Sequence, residues 1–203
     1  MINLKDLPQE LSNQSFQGEC LRNTDWQGRV LQGIDFSQSD LSAANFQGAD
    51  LSGSVFIGAN LRGVNLSRAQ LQQTDFNQAN LDNADFSYAQ LARASFRAAC
   101  LRWADFSYAE LDAAIFWRSD LRHAKFRMAL LSRVYMVSTD LAGADFYQAD
   151  LGGAHLEATV HCSGVRLPDS KQTSRLKDLQ TFTQGSISCP HGADELKQLT
   201  SAP

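Results

Sequence analysis

An apolar side chain recurs every five residues from Leu11 to Leu156, and no other feature limits the folds open to this chain as strongly. Twenty-eight of these thirty central residues are Leu or Phe, and the exceptions are Trp26 and Met136. The residue two places before each centre is Ala, Ser, Thr or Val throughout residues 39–159. A repeat of fixed period indicates a stacked, repetitive architecture.

Neither a helix nor a flat strand can bury these centres together. Successive helix residues are about 100° apart, so side chains five places apart point about 140° away from each other. In a strand, side chains alternate between the two faces, so residues five places apart point to opposite sides. A chain that turns a corner after every repeat keeps each centre, and the small residue before it, on the inside. The period therefore predicts a coiled solenoid.

Many repeats share a motif of Ala, then Asp or Asn, then Leu, followed by two variable residues, as in Ala49–Leu51 and Ala59–Leu61. In this motif the chain resembles the pentapeptide-repeat proteins over roughly residues 15–160. The resemblance implies an all-β fold, a right-handed quadrilateral β-helix with four repeats in each coil. The length of the repeat region corresponds to about seven such coils.

Phe and Leu alternate as central residues over much of the chain, so opposite sides of a four-sided coil carry the same residue type. This alternation predicts two facing columns of stacked Phe rings, with Leu columns on the remaining sides. The first Phe column is Phe56, Phe76, Phe96 and Phe116, and the facing one is Phe86, Phe106, Phe126 and Phe146.

The extent of the period divides the chain into three regions. Leucines at helical spacing precede it and predict a short N-terminal cap over residues 1–14. The β-helix is expected over residues 15–160. Residues 161–203 differ in composition and are predicted to form a C-terminal capping tail with short helical turns.

The repeat is less regular at both ends. Glu19 and Arg29 stand where later repeats carry small residues, so irregular geometry is expected until about Ile34. At the other end, His161 and Arg166 occupy the next two central positions, which predicts that the regular coil has ended there.

The net charge of −4 and the isoelectric point near 5.5 give no indication of binding to nucleic acid or to an anionic membrane. No apolar run approaches the about 18 residues of a membrane-spanning helix, and the N-terminus does not read as a signal peptide. The expectation is a cytoplasmic protein without a membrane partner or a small-molecule substrate, and direct nucleic-acid binding is not expected.

Four scattered cysteines do not form the framework of a disulfide-rich protein. His161-Cys162 and Cys189-Pro190-His191 leave three readings open: unrelated thiols, a Cys162–Cys189 disulfide, or a zinc site built from both segments. Unrelated thiols are the default, and no cofactor is expected.

Catalytic motifs are missing from the sequence: there is no glycine-rich phosphate loop, no HExxH segment and no nucleophile elbow. The Asp and Asn residues just before many centres are interpreted as side chains that bond nearby backbone at the corners. The sequence therefore predicts that the protein is not an enzyme.

The outward residues change character between Leu91 and Tyr135, where eight Arg and Lys residues face four Asp and Glu residues. Large apolar residues appear in the same coils, and Ile115, Trp117, Tyr135 and Val137 are predicted to share one wall. Exposed aromatic and Arg side chains are enriched at protein interfaces. The candidate partner-binding residues are Arg97, Trp103, Tyr108, Ile115, Trp117, Arg118, Arg122, Met128, Arg133 and Tyr135.

The leading functional prediction is a non-enzymatic, rigid β-solenoid scaffold that binds a protein partner through its outer walls. A blander interpretation is that the Arg stems and flat rings simply cover the surface. The family resemblance adds an alternative, a DNA-mimicking modulator of DNA gyrase or topoisomerase, although mimicry needs dense negative charge and this rod is arginine-rich in its middle. A homodimer through one end of the solenoid is also left open.

Overall fold

The computed structural model describes residues 9–156, 159–161 and 163–168 of the 203-residue chain. Over these ranges the chain winds as a right-handed, four-sided β-helix, which confirms the predicted fold. Every parallel bridge from Glu10↔Val30 to Tyr135↔His155 joins residues twenty apart, so four repeats make one coil. The bridged region, residues 10–166, completes between seven and eight coils.

Each side of a coil consists of one bridging residue and one β-turn. In the turn Leu41–Ala44, the Ala44 amide donates to the Leu41 carbonyl oxygen at 3.0 Å, and the Leu41 amide donates to Asn60 of the next coil at 2.8 Å. Within the described ranges there is no helix, and no strand is longer than a single bridge. Accordingly, none of these residues forms a helix long and apolar enough to span a bilayer.

We name the four walls by the bridging residues that run along them. They are wall A (Val55, Asp75, Ser95, Ile115, Tyr135), wall B (Asn60, Asn80, Cys100, Asp120, Asp140), wall C (Asn65, Asp85, Asp105, Lys125, Asp145) and wall D (Gln70, Gln90, Glu110, Leu130, Asp150). The residue two places after each centre forms a corner. Corner residues have positive φ from Asn13 to Gly153, whether or not they are glycine.

The core contains the two predicted Phe columns. Phe76 stacks on Phe96 at 5.0 Å between ring centroids, and Phe86 stacks on Phe106 at 4.7 Å. The two columns also meet each other, since Phe86 and Phe96 contact edge to face at 5.7 Å with an interplanar angle of 89°. Stacked and edge-to-face contacts are the favourable arrangements of aromatic pairs, so the tube interior is a continuous aromatic core.

The small residues two places before each centre are buried from Ser39 to Ala149. Where they carry a hydroxyl, it bonds the backbone: Ser119 donates to the Phe116 carbonyl at 2.7 Å and Thr139 to the Met136 carbonyl at 2.8 Å. These polar groups therefore enter the core without losing their hydrogen bonds.

The first coil is more regular than its sequence predicts. Bridges and turns already hold from Glu10, ahead of the predicted start at residue 15, so the expected irregularity up to Ile34 was wrong. Glu19 is tolerated because its side chain lies in the first coil and is exposed, while its carbonyl still accepts from the Asp40 amide at 2.9 Å. The part of the predicted cap before residue 9 lies outside the described residues.

The last coil contains a one-residue insertion. The bridges Asp140↔His161 and Asp145↔Arg166 span twenty-one residues, so His161 and Arg166 are bridging residues. Their prediction as central residues was wrong, and the coil continues past the predicted boundary at residue 160. Cys162 and residues 169–203, including Cys189, lie outside the described residues. The predicted alternatives of a Cys162–Cys189 disulfide and of a zinc site therefore stay predictions.

Candidate functional site

Asp and Asn side chains before the centres fix the corners. The Asp85 carboxylate accepts the Ser87 amide at 2.8 Å, and Asp105 accepts the Ser107 amide at 2.9 Å. Although burial raises the pKa of Asp105, hydrogen bonds from Ser107 and the Lys125 ammonium lower it overall. These carboxylates act as turn-forming acceptors, which agrees with their interpretation from the sequence.

Wall B carries a ladder of alternating charges along the axis, made up of Asp82, Arg102, Asp120, Arg122 and Asp140. The His161 ring lies at the end of this ladder, 3.1 Å from Asp140. Arg102 lies 2.5 Å from Asp82 and 3.9 Å from Asp120. Arg122 lies 2.6 Å from Asp120, and this hydrogen bond raises the Arg122 pKa. The candidate residue Arg122 is thus already paired within the protein.

Other cations of the arginine-rich region are also compensated. Lys125 lies 3.3 Å from Asp105, Arg127 lies 2.7 Å from Asp145, and Arg133 pairs with Asp112. The local positive excess read from the sequence is therefore largely neutralised, partly by carboxylates outside residues 91–135.

Corner side chains stack along the rod. Trp103 stacks on His123 at 4.0 Å, and Tyr88 stacks on Tyr108 at 4.7 Å. The Arg68 guanidinium lies over the Tyr88 ring, 5.4 Å from its centroid. These rings remain partly exposed, and each has at least one face against a neighbour from the same chain.

Wall A also carries a stack, Tyr135 on His155 at 4.5 Å between ring centroids, but its large side chains in addition line an open groove of 390 Å³. The groove is lined by Arg97, Ile115, Trp117, Tyr135 and Val137. Trp117 is 37% exposed and Tyr135 is 43% exposed, so both residues present apolar surface to solvent. The groove runs across successive coils, since Ile115 bridges Tyr135.

Two cations border this groove. Arg97 is part of its lining, and the Arg118 guanidinium lies over the Trp117 ring at 4.3 Å. In the described part of the chain, neither side chain has a carboxylate within 4.0 Å. The groove thus combines apolar surface with uncompensated positive charge.

The structure brings half of the candidate residues together at this groove and places the other half elsewhere on the surface. Arg97, Ile115, Trp117, Arg118 and Tyr135 lie at the groove. Trp103 and Tyr108 belong to corner stacks, Met128 is an exposed corner residue, and Arg122 and Arg133 are in ion pairs. Val137, which the sequence places on this wall without marking it as a binding residue, completes the lining.

Metal-ligating side chains do not converge among the described residues: no group of three or more His, Cys, Asp or Glu there is arranged to hold an ion. Cys100 lies half-buried on wall B, and burial first, then Asp82 and Asp120, raises the pKa of its thiol. A raised pKa lowers the thiolate fraction, which disfavours a nucleophilic role.

Comparison with known proteins identifies the repeat. A profile of the "Pentapeptide repeat region" matches residues 31–106, and a profile of "Pentapeptide repeats (8 copies)" matches residues 99–136 and 129–157. Together these matches span more than half of the chain. No curated protein sequence matches at a significant level.

Three solved structures are similar to this chain. A pentapeptide repeat protein of the Arabidopsis thaliana thylakoid lumen is 34% identical, over 46% of this chain and 66% of its own length, with a TM-score of 0.46. HetL of Nostoc sp. strain PCC 7120, involved in heterocyst differentiation regulation, is 29% identical over 79% of this chain and 87% of its own, with a TM-score of 0.38. QnrB1, a plasmid-mediated fluoroquinolone resistance protein, is 22% identical over 83% of this chain and 94% of its own length, with a TM-score of 0.46.

Proposed function

Since this chain belongs to the pentapeptide-repeat family, we propose that it acts without catalysis, as a rigid scaffold that docks a protein partner on wall A. The observation that carries the proposal is the groove of Ile115, Trp117, Tyr135 and Val137. Exposed aromatic rings in a groove are the side chains that most often anchor protein complexes. The aromatic core behind the groove keeps it in shape without a partner, so little ordering is needed on binding.

The groove favours a macromolecular partner over a small substrate. It is open along the rod and lined mainly by apolar side chains. Catalysis usually depends on a water-excluding site with convergent polar groups, whereas docking needs only accessible, complementary surface.

The alternative, a DNA-mimicking modulator of DNA gyrase or topoisomerase, has weaker support. A mimic of duplex DNA presents dense negative charge along the rod. On wall B, the negative charges of Asp82, Asp120 and Asp140 are each compensated by an arginine within 4.0 Å. Wall A presents the positive charges of Arg97 and Arg118. The likeness to QnrB1 supports the fold alone.

Site-specific photo-crosslinking tests the proposal. A benzophenone amino acid replaces Trp117 in the full chain, and the matched control carries it at Ile57, three coils away at the same position of wall A and 36% exposed. The expected result is one protein crosslinked in the native host from position 117 and not from position 57. The purified partner should then bind the purified chain directly.

The same interaction should depend on groove side chains. Tyr135→Ser is expected to weaken binding of the purified partner by at least about tenfold, which is typical of truncating a central aromatic residue. Leu130→Ser on wall D, where Leu130 is 50% exposed, is the control and should bind normally. Equal crosslinking from positions 57 and 117, or equal weakening by both serine variants, would remove wall A as the docking surface.

A further inference from the structure

We propose that the groove on wall A selects an acidic segment of its partner, in which Asp or Glu carboxylates alternate with apolar side chains. This inference rests on the proposed function and names the chemistry of the occupant. It follows from the charge of Arg97 and Arg118 and from the apolar lining between and beside them.

The cations at the groove differ from most of those around them. Arg102, Arg122 and Arg127 each lie within 3 Å of a carboxylate of the same chain. Arg97 and Arg118 have no such partner in the described ranges, so their charge is available to a ligand without breaking an existing ion pair. Guanidinium groups bind carboxylates with two parallel hydrogen bonds, which adds geometric selectivity.

The apolar lining restricts the ligand further. Ile115, Trp117 and Val137 offer no charge to an anion, so a ligand that is only anionic would leave most of the groove surface uncovered. A segment with apolar side chains next to its carboxylates covers this surface and also reaches the two guanidinium groups. Burying this apolar area adds favourable free energy to binding, against which the costs of association are set.

Nucleic acid fits the same surface less well. Binding to a phosphate backbone depends on many cations along the ligand path. On the adjacent wall B, Arg102 and Arg122 would have to leave Asp82 and Asp120 to contact phosphates. A peptide that needs only Arg97 and Arg118 requires no such exchange.

The groove also excludes binding by strand addition. The main-chain amides of Ile115 and Tyr135 already donate to Ala94 and Ala114 of the preceding coil at 3.0 and 2.9 Å. Recognition on wall A therefore uses side chains, which makes it sensitive to single substitutions in either molecule.

Fluorescence polarisation with defined peptides tests the inference on the full chain. The probes are fluorescein-labelled Gly-Leu-Asp-Phe-Glu-Leu-Gly, the same peptide with Asn and Gln for Asp and Glu, and a single-stranded oligonucleotide. We expect the acidic peptide to bind about tenfold more tightly than its amide counterpart, with the difference shrinking at high salt because the charges are exposed. The oligonucleotide should not compete.

Arginine variants locate the effect. Arg97→Gln together with Arg118→Gln should abolish the preference for the acidic peptide, while Arg62→Gln, an exposed arginine of wall B without an ion pair in the described ranges, should leave it intact. Equal binding of the two peptides, an unchanged preference in the double variant, or displacement by the oligonucleotide would overturn the inference.

Different results would contradict docking on wall A and the preference for an acidic segment. If the partner crosslinked from position 117 binds the Arg97→Gln/Arg118→Gln variant with unchanged affinity, the acidic specificity is wrong and the docking wall stands. If position 117 captures no specific partner and none of the peptides binds, both proposals are wrong.

Discussion

Ala98 occupies a corner with a backbone φ of 54°, in the left-handed region that disfavours any side chain. Earlier corners, such as Gly48 and Gly58, are filled by glycine, which adopts this conformation without strain. The cost of a Cβ at such a position is about 1–2 kcal/mol, offset in part by the greater freedom of glycine in the unfolded chain.

Ala98→Gly should therefore stabilise the protein. We expect the free energy of unfolding to rise by about 0.5–1 kcal/mol in chemical denaturation. The neighbouring Ala99→Gly is the matched control. Because Ala99 is buried and does not have a positive φ, this variant should have a free energy of unfolding about 1 kcal/mol lower than that of the unmodified protein. Greater destabilisation by Ala98→Gly than by Ala99→Gly would contradict the corner geometry.

Ala104 tests the inside of a corner, where its side chain is 0% exposed. The Ala104 amide donates to Leu101 at 3.1 Å and its carbonyl accepts from Lys125 at 2.9 Å, so the backbone cannot move outward without losing these bonds. Ala104→Leu should destabilise the protein by about 1–3 kcal/mol through overpacking. The same substitution at half-buried Ala92 should cost much less. Similar values for the two variants would mean that Ala104 does not face the core.

Asp40 gives stability a defined pH dependence. Partial burial raises its pKa, but hydrogen bonds from Arg22 and Ser42 outweigh this effect and lower the pKa to about 2. The pKa in the unfolded chain is about 3.9, so the stabilisation is complete above that pH and is lost as the pH falls through about 2.

Asp40→Asn keeps the acceptor for the Ser42 amide but removes the charge. The variant should be less stable at pH 7 by about 1 kcal/mol, and its deficit should shrink between pH 4 and pH 2. Denaturation curves measured across this range check the prediction, and a deficit that is constant with pH would contradict it.

At the scale of the element, the coil is the unit of stability, because each coil contacts only its neighbours through bridges twenty residues apart. Deleting residues 61–80 removes one complete coil and places Leu81 where Leu61 was, on the same column. Deleting only residues 76–80 instead places Leu81 over Phe56 and shifts every later Phe column onto a Leu column.

We expect the five-residue deletion to be less stable than the twenty-residue deletion by about 2 kcal/mol or more, although it removes less chain. Thermal or chemical unfolding of both variants measures this difference. Equal stability would show that the columns do not specify the register between coils.

The sequence predicts the interior better than the surface. The columns through Phe96 and Phe106 and the shared wall of Ile115, Trp117 and Tyr135 follow from the five-residue period together with the four repeats per coil that the family resemblance implies, since burial and wall position are set by backbone geometry. The pairing of Arg102 with Asp82 depends on the rotamers of a long side chain and a partner twenty residues away, which no local pattern encodes.

The structure of the first and last coils was also harder to predict from the sequence. The inserted residue before His161 and the tolerance of Glu19 in the first coil depend on how few neighbours a terminal coil has. The five-residue period does not indicate whether a given position has a neighbouring coil on both sides or only on one.

At the scale of the whole molecule, the described coils bury their core and present four walls to solvent. Walls B, C and D satisfy much of their charge internally, as in the Arg122–Asp120, Arg127–Asp145 and Arg133–Asp112 pairs. In its later coils, wall A is lined by a groove with aromatic residues and with arginines that have no carboxylate partner among the described residues. Its function is therefore expected to depend on a few side chains, with the rest of the rod providing rigidity.

Acrylamide quenching of single-tryptophan variants is the most direct test of which side chains face in and which face out. Three proteins each retain one of Trp26, Trp103 and Trp117, which are 0%, 57% and 37% exposed, with Phe at the other two positions. The fluorescence of Trp26 should be almost unquenched in the native state, and that of Trp103 and Trp117 should be strongly quenched. Quenching of native Trp26 equal to that of Trp103, in a protein that remains folded, would contradict the account.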